Sequence, residues 1–587
     1  MKYLEPDTAP GEMIQNIALL LKKNTERLGE KPVFMEKKDG VYQGISWRSF
    51  SEDIHNIAFN LRKHGFRKGD KMIIFSPNRL EMLELEMALM AGGGVSVPIF
   101  AFFNEDTAKA LIRHSGARFI AAAGRSQVEK LENISGIEKI FVFDTDAAGK
   151  SSVFSPFSEL LKKRNDESFG LNTDAGADEI CLNMYTSGTM GGPKCVQLTH
   201  RNILSQQSAL EKVWDVSSSD RFLSYLPWHH SFGGIFERFS ALYNGACIFL
   251  ESGLGKNAEE IMENWKLVKP TVFFSVPKVY QSLVELTRSD GEAEELFFRS
   301  GLKFIFTAAA PLPRNLSDEF EKNDITVREG WGLTETSPCC TLTDPLVKRQ
   351  PGLVGKPIPG VRIRISDEGE IQVNGPNVMK GYYKNDEANR KSFSADGWFC
   401  TGDIGEITPA GLKLIARKDR VFKLVNGEKV IPSEMETLIQ SKCHYISFAM
   451  VTGSGKDYPV AILFPNRKML SRPAYERTPE EGCFCPRSLS ELGKCLQGCM
   501  HDANCEMGEK FSRVKMAILV DDELSIEKNT LTPSMKIAPG KVFEAYKAHI
   551  ENLFGGSNNV NEEVYVIRLD TENPVSRKTM EAKACTK

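Results

Sequence analysis

Apolar positions recur at helical spacing in two early segments and form short continuous runs between and after them. The helical spacing covers residues 52–63 and 79–90, whereas residues 72–75, 95–100 and 119–122 form largely apolar runs. The first pattern predicts amphipathic helices, and short apolar runs of this kind are typical of strands buried on both faces. Alternating helices and buried strands predict an α/β fold with layered parallel sheet.

The alternation continues through the middle of the chain and changes after residue 420. Three further buried strands are predicted at residues 248–250, 272–274 and 304–306. A smaller set of secondary-structure elements follows, with a helix that begins near Pro432 and strands at residues 448–451 and 459–464. We therefore predict a large N-terminal domain of layered α/β sheets at residues 1–418 and a smaller α+β domain at residues 419–587.

Charge and targeting signals exclude several classes of partner. The 74 Lys and Arg residues nearly balance the 77 Asp and Glu residues, so the formal net charge of -3 offers no general attraction for nucleic acid. The N-terminus lacks the basic and then apolar order of a secretory signal. The longest apolar stretch, residues 87–103, is interrupted by three glycines and a proline, which favours a helix-to-strand transition over a transmembrane segment. A cytoplasmic protein is expected, with peripheral membrane contact conceivable.

A loop rich in glycine and hydroxyl side chains follows the apolar residues 180–184. Glycines let backbone N–H groups converge on an anion, and hydroxyls with a lysine add donors and charge. Lys194 is followed by Cys195, so the loop is not of the Gly-Lys-Ser/Thr type. The pattern predicts phosphate binding, and a plain glycine-rich surface loop is the alternative. The candidate phosphate-binding residues are Thr186, Ser187, Gly188, Thr189, Gly191 and Lys194.

This loop resembles that of the adenylate-forming (AMP-binding) superfamily, which includes acyl-CoA synthetases, peptide-synthetase adenylation domains and firefly luciferases. Met190 stands where the family usually has a second threonine, and Cys195 where it usually has glycine. The segment at residues 330–336 also resembles a family motif. The resemblance implies that Trp331 with Gly332 stacks on adenine, that Thr334 contacts the α-phosphate and that Glu335 holds Mg²⁺.

Three later segments resemble family motifs in the expected order. In the segment 397–403, the resemblance implies that Asp403 accepts hydrogen bonds from both ribose hydroxyls. In the segment 417–424, it implies that Arg417 reaches the ribose or a phosphate, that Asp419 is the interdomain pivot and that Lys423 lies near the thiol tunnel. Lys536 matches the C-terminal lysine that neutralises charge during adenylation. Lys578 is the rival, but the glycine that other branches place before it is missing.

Two more segments resemble the surroundings of the acyl group. Residues 227–233 resemble the segment that lines the acyl tunnel, with His230 as the more favoured gate, although a lone histidine is more often structural. Residues 308–312 resemble a segment that borders adenine and the acyl chain, and here Ala309 and its predecessor replace two glycines. The added methyl groups narrow the space beside the ligand, which bears on which acids fit.

The resemblance is closest to the long-chain fatty acyl-CoA synthetases (AMP-forming). It implies that ATP and a medium- to long-chain fatty acid form acyl-AMP and pyrophosphate, with Mg²⁺ as cofactor, and that the acyl group then passes to coenzyme A. The catalytic residues would be Lys536, Glu335, Lys194 and His230. Two alternatives stay open: an enzyme that stops at acyl-AMP or loads an acyl carrier protein, and a silent family member that acts as a binding protein.

Five of the thirteen cysteines cluster near the C-terminal end of the chain. They are Cys483, Cys485, Cys495, Cys499 and Cys505. Thiolates close in sequence can share Zn²⁺, but this spacing lacks the paired Cys-x-x-Cys of common zinc modules. We therefore favour unliganded surface thiols over a metal site.

Overall fold

The computed structural model describes most of the chain and divides it into two compact units. The described residues are 2–144, 146, 152–186, 193–251, 253–308, 310–443, 445–467, 486, 488–526, 528–532, 536–555 and 564–569. The large unit comprises Met1–Gly188, Gly192–Thr401 and Gly405–Ile415, and the small unit comprises Thr189–Gly191, Gly402–Ile404 and Ala416–Lys587. The predicted boundary between residues 418 and 419 stays a prediction.

The first sheet of the large unit is mainly parallel. Its strands lie in the spatial order Gly381–Tyr382, Lys194–Thr199, Ile180–Thr186, Val95–Ile99, Lys71–Phe75, Phe119–Ala122, Lys139–Val142 and Phe154–Pro156. From Ile180–Thr186 onward neighbouring strands are parallel, whereas the first three strands are antiparallel to one another. The parallel sheet predicted for the N-terminal third of the chain is therefore confirmed.

The second sheet combines a parallel half with an antiparallel half. Its strands lie in the order Lys2–Leu4, Arg362–Ile365, Glu370–Asn374, Phe399–Thr408, Gly411–Arg417, Leu353–Pro357, Cys339–Leu342, Val327–Gly332, Phe304–Thr307, Val272–Ser275, Arg221–Ser224, Cys247–Leu250, Pro32–Lys38 and Val41–Ser46. The strands from Val327–Gly332 to Pro32–Lys38 are parallel, which confirms the three buried strands predicted there. The antiparallel half was not anticipated from the sequence pattern.

Helices cover the sheets of the large unit. They span Ile17–Leu28, Trp47–Lys63, Leu80–Ala91, Glu105–Ser115, Arg125–Glu129, His200–Glu211, Arg238–Asn244, Ala258–Val268, Pro277–Thr287, Gly291–Arg299, Arg314–Lys322 and Asp386–Ser392. Leu80–Ala91 is buried almost all round because it packs inside the core, and it ends just before the strand Val95–Ile99. The predicted helix-to-strand transition is therefore confirmed. Among the described residues, no helix combines the length and apolar character needed to cross a membrane.

The small unit is an α+β unit built on its own sheet. The sheet has the strand order Ile446–Thr452, Val460–Pro465, Met516–Val520 and Val564–Arg568, and a separate hairpin pairs Phe422–Lys423 with Lys429–Val430. Its helices span Pro432–Lys442, Leu489–Glu506, Pro539–Ala545 and Lys547–Gly555. The predicted fold class, large α/β sheets followed by a smaller α+β part, is confirmed.

The cysteine cluster does not form a set of surface thiols. Cys495 and Cys499 lie four residues apart on the helix Leu489–Glu506 and are only 8% and 2% exposed. Residues at this spacing share one helix face, and that face packs into the core of the small unit. The prediction of surface thiols is therefore wrong for these two residues and holds for Cys505, which is exposed. Cys483 and Cys485 lie outside the described residues.

Candidate active site

The candidate phosphate loop connects two paired strands. Thr186 ends one strand and Lys194 begins the next, and the two residues are opposite each other in the antiparallel register. Thr186 Oγ1 donates to the carbonyl oxygen of Lys194 at 3.5 Å. The hairpin therefore holds these two side chains at the base of the loop. The predicted phosphate contacts Ser187, Gly188, Thr189 and Gly191 lie outside the described residues.

Lys194 and Glu335 meet through a tyrosine that sequence reasoning missed. The Nζ atom of Lys194 lies 4.9 Å from the centroid of the Tyr382 ring, a cation–π distance. The hydroxyl of Tyr382 donates to Glu335 Oε1 at 2.7 Å. Both Tyr382 and Glu335 are buried. A charge-assisted hydrogen bond of this length orients the carboxylate firmly.

Glu335 lies on a short 3-10 turn, Thr334–Thr336, that follows the strand Val327–Gly332. The main chain folds back so closely that a Cβ atom at Gly332 would lie 1.6 Å from the carbonyl oxygen of Pro338. Glycine is therefore required at 332 for the turn itself. The hydroxyl of Thr336 accepts from the backbone N–H of Leu333 at 2.9 Å, and the Met379 N–H donates to the carbonyl of Glu335 at 2.8 Å. The turn is thus rigidly placed.

Thr334 contacts the segment that resembles the acyl tunnel. Its Oγ1 lies 2.9 Å from Oγ of Ser231, another residue that the sequence did not single out. Ser231 immediately precedes a π-helical turn, Phe232–Glu237. His230 lies just before it, and its Nδ1 accepts a hydrogen bond from the Phe232 N–H at 3.3 Å. The candidate gate residue therefore has a structural contact at the start of this turn.

His229 packs against an aromatic ring next to the candidate gate residue. Its ring centroid lies 4.9 Å from that of Phe100. Loss of water around the ring, together with the nearby His230, lowers the pKa of His229 to about 3. His229 is therefore neutral at physiological pH, and its ring packs against Phe100 without carrying a charge.

A buried ion pair anchors the far end of the π-helical turn. Arg238 and Glu86 form a salt bridge with side chains that are 1% and 0% exposed. Arg238 Nε also donates to the carbonyl oxygen of Gly234 at 3.0 Å, and Ser96 Oγ donates to Glu86 Oε1 at 2.9 Å. Because breaking a buried pair leaves an uncompensated charge, this contact fixes the turn to the helix Leu80–Ala91.

The strand Val327–Gly332, which precedes the 3-10 turn, carries a further contact that the sequence did not predict. Trp331 is 8% exposed, and its neighbour on the same strand, Glu329, accepts from Arg349 Nη2 at 2.8 and 2.7 Å. Glu329 also accepts from the Leu312 N–H at 3.2 Å. The segment proposed to border adenine is therefore tied to the Trp331 strand. Ala309, predicted from the same segment, lies outside the described residues.

In the small unit, Arg417 joins two of the predicted acidic residues. Its Nη1 lies 3.1 Å from Asp403 Oδ1, and its Nε lies 3.5 Å from Asp419 Oδ1. The Lys418 N–H donates to the carbonyl oxygen of Gly402 at 2.7 Å. Burial opposes the charge of Arg417, but the two carboxylates outweigh it and raise the pKa of the guanidinium. The ribose and hinge candidates therefore form one ionic network.

Lys536 lies within electrostatic reach of this network. Loss of water lowers the pKa of its ammonium group, Asp403 acts in the opposite direction, and Arg417 lowers the pKa further. The carbonyl oxygen of Lys536 accepts a hydrogen bond from the Thr532 N–H at 2.8 Å. Lys423 is exposed on the hairpin strand Phe422–Lys423. The rival lysine, Lys578, lies outside the described residues.

Comparison with known proteins decides the family. The sequence model described as "AMP-binding enzyme" matches residues 21–383, which is more than half of the chain. The chain belongs to this family. The model described as "AMP-binding enzyme C-terminal domain" matches residues 419–558. The protein is therefore an adenylate-forming enzyme of the AMP-forming acid–CoA ligase family, and it resembles the long-chain fatty acyl-CoA synthetases.

Curated relatives of this AMP-binding enzyme cover most of its length. Long chain acyl-CoA synthetase 7, peroxisomal, of Arabidopsis thaliana is 27% identical over 85% of this chain and 80% of its own. Long-chain-fatty-acid--CoA ligase 6 of Homo sapiens is 26% identical over 87% of this chain and 83% of its own.

Solved structures share the fold of this AMP-binding enzyme. The anthranilate CoA ligase AuaEII in complex with anthranoyl-AMP superposes with a TM-score of 0.75 at 20% identity and covers 92% of this chain and 99% of its own. ATP-bound MatB from Rhodopseudomonas palustris gives a TM-score of 0.72 at 23% identity, with 91% and 99% covered.

Proposed function

We propose that this AMP-binding enzyme activates a medium- to long-chain fatty acid with ATP, forming acyl-AMP and pyrophosphate, and then transfers the acyl group to coenzyme A. One observation carries the adenylation step. The turn with Thr334 and Glu335 is bonded to Ser231 on one side and, through Tyr382, to Lys194 on the other. Groups suited to phosphates, a metal ion and the acyl segment thus converge on one turn.

Two observations support a fatty acid as the substrate: the named relatives and the sequence motifs. The relatives named above are long-chain acyl-CoA synthetases, and the chain spans at least four fifths of each of them. The sequence around Lys536 and the pair Glu237 and Arg238 resemble the same branch. The solved neighbours carry other acids by their titles, including anthranoyl-AMP. The chain length of the acid is therefore part of the proposal and is what the assay has to test first.

Each part of the proposed first step has a residue suited to it. The ammonium of Lys194 and the hydroxyl of Thr186, with the loop Ser187 to Gly191, would bind the β- and γ-phosphates. The indole of Trp331 offers a flat apolar face for adenine, and Thr334 Oγ1 can donate to an α-phosphate oxygen. Charge that develops as the carboxylate attacks the α-phosphorus would be offset by Lys536.

The carboxylate of Glu335 is a suitable ligand for a divalent metal ion. A hard cation such as Mg²⁺ prefers carboxylate and phosphate oxygens, and it commonly binds through one or two carboxylates plus substrate phosphates. The Tyr382 hydroxyl engages Oε1, which leaves a carboxylate with further acceptor capacity in a fixed orientation. When bound there, Mg²⁺ would neutralise phosphate charge.

The remaining proposed roles, apart from that of His230, lie in the small unit. Asp403 is an acceptor-only group that can take both ribose hydroxyls, and Arg417 beside it supplies donors for ribose or phosphate. Asp419 would be the pivot of a domain rotation between the two half-reactions, and Lys423 would lie near the thiol of coenzyme A. His230 would gate the acyl tunnel.

The deciding assay measures both half-reactions in the purified full-length enzyme. Pyrophosphate release is followed with ATP, Mg²⁺ and a panel of short, medium and long straight-chain acids plus aromatic acids. Fatty acid-dependent release is expected without coenzyme A, and thioester is expected only when coenzyme A is added. Activity with aromatic acids alone would contradict the fatty acid assignment. Pyrophosphate release that never yields a coenzyme A thioester would indicate an acyl-AMP ligase or a carrier-protein enzyme, and no release at all would indicate a binding protein.

A further inference from the structure

The hairpin that holds Thr186 and Lys194 has two faces. Thr186 is opposite Lys194 in the antiparallel register, and Tyr185 is opposite Cys195. Because successive side chains of a strand point to opposite faces, Thr186 and Lys194 share one face, and Tyr185 and Cys195 share the other. The first face carries the groups proposed to bind phosphate. The contacts of the second face therefore decide how firmly those groups are held.

The neighbouring strand adds a tyrosine to the first face. Tyr382 is opposite Val196, which lies two residues beyond Lys194 and so points to the same face as Lys194. The distance of 4.9 Å between the Lys194 Nζ atom and the Tyr382 ring agrees with this placement. On the backbone, the N–H of the next residue, Tyr383, donates to the carbonyl oxygen of Cys195 at 2.8 Å. The proposed phosphate ligands and the tyrosine that orients Glu335 are therefore held on one common frame.

A histidine from a helix packs against the second face of this frame. His114 lies near the end of the helix Glu105–Ser115 and is half-buried. Its ring is edge-on to the ring of Tyr185, with centroids 5.8 Å apart, and to the ring of Tyr383, with centroids 5.9 Å apart. One helical residue thus contacts both the strand that enters the phosphate loop and the residue that follows Tyr382.

The hydroxyl of Tyr185 makes two hydrogen bonds to the same helix. It donates to the carbonyl oxygen of Leu111 at 3.1 Å, and it lies 2.9 Å from Nδ1 of His114. A phenol has one proton and a carbonyl oxygen only accepts, so the proton of Tyr185 is directed to Leu111, and Nδ1 of His114 donates to the phenolic oxygen. These bonds tie the hairpin to the helix at a point one residue before Thr186.

We propose that Tyr185 and His114 are positioning residues for the binding of ATP. They act through Thr186 and Lys194, because Thr186 follows Tyr185 directly and Lys194 precedes its register partner Cys195. Groups that bind a ligand lose much of their effect when the residues that support them let them shift. This inference rests on the proposed function, because it assumes that Thr186 and Lys194 bind the phosphates of ATP.

The test measures the affinity of the purified full-length enzyme for ATP by calorimetry, with Mg²⁺ and without a fatty acid, and the KM for ATP in pyrophosphate release. Tyr185→Phe keeps the ring and removes both hydrogen bonds. We expect the dissociation constant and the KM for ATP to rise roughly three- to tenfold, with kcat changed by less than about twofold. His114→Asn keeps a donor near the position of Nδ1 and should bind ATP almost as the wild type does. His114→Leu has no donor and should show the rise.

Tyr42→Phe is the matched control. Tyr42 is also half-buried, and its hydroxyl donates to a backbone carbonyl, that of Leu250, at 3.2 Å. It lies on the other sheet of the large unit, away from the hairpin. Its loss should lower the melting temperature to a similar extent as Tyr185→Phe and leave the affinity for ATP unchanged. A purely structural role of Tyr185 would make the two variants alike.

The outcomes separate this inference from the proposed function. Unchanged ATP affinity in Tyr185→Phe, or an equal loss in Tyr42→Phe, would overturn the inference and leave the proposed function standing. Weaker ATP binding by Tyr185→Phe in an enzyme that releases no pyrophosphate with any fatty acid would support the inference and contradict the proposed function. If Tyr185→Phe fails to fold, equal affinities of His114→Leu and His114→Asn would overturn the inference. An enzyme that binds no ATP would contradict both.

Discussion

The substitution Tyr382→Phe tests the contact on which the candidate site depends. It removes the hydroxyl that donates to Glu335 Oε1 at 2.7 Å and keeps the ring that faces Lys194. Hydrogen bonds to charged groups contribute about 1.5–3 kcal/mol, and this one is short and buried, so the upper half of the range applies. Because about 1.4 kcal/mol corresponds to tenfold, we expect kcat/KM for pyrophosphate release to fall roughly 40- to 140-fold.

The assay follows ATP-dependent pyrophosphate release over a range of Mg²⁺ concentrations. If Tyr382 orients Glu335 as a metal ligand, the variant should need more Mg²⁺ for half-maximal rate, and excess Mg²⁺ should restore part of the activity. Tyr383→Phe is the matched control, because Tyr383 is the next residue and its ring faces Lys71 and Lys384 instead of Glu335. A Tyr382→Phe enzyme with unchanged rate and unchanged Mg²⁺ dependence would refute the role assigned to this contact.

Three further predictions follow from the structure. Gly332→Ala should lower the free energy of unfolding of the large unit by about 3 kcal/mol, measured by denaturant titration, since its Cβ would lie 1.6 Å from a carbonyl oxygen. Lys536→Ala should abolish acyl-AMP formation in a single-turnover assay and Lys578→Ala should not; the opposite result would move the catalytic role to Lys578. Burial raises the pKa of Glu84 to about 9. Because ionisation is disfavoured in the folded state, the stability of the wild type relative to Glu84→Gln should be highest at acid pH and should decline as the pH rises towards 9, which midpoints at several pH values would show.

The local pattern of apolar residues was sufficient to predict the buried parallel strands. The apolar runs at residues 72–75 and 119–122 are buried parallel strands in the structure. A strand that is covered on both faces has apolar side chains on both, so its sequence is a continuous apolar run and not an alternation of apolar and polar residues. The family resemblance likewise depended on short motifs that are contiguous in sequence. The antiparallel half of the large sheet was missed, since its strands do not show the continuous apolar runs by which the buried parallel strands were found.

The burial of two cysteines in the cluster was not predicted from the sequence. Spacing alone argued against zinc, but the burial of Cys495 and Cys499 depends on which face of the helix Leu489–Glu506 meets the sheet. The packing of the entire core of the small unit decides which face that is. Small hydrophobic thiols pack well there.

The sequence by itself indicated the family, the buried parallel strands with the helices between them, and the residues proposed to bind phosphate, adenine and ribose, because each depends on periodicity or on a contiguous motif. Only the tertiary structure joined Tyr382 to Glu335, Ser231 to Thr334 and Arg238 to Glu86, pairs separated by 47, 103 and 152 residues. Such contacts form when segments that are distant in sequence pack together and bury their polar groups away from water. Neither residue spacing nor composition shows which segments will pack together.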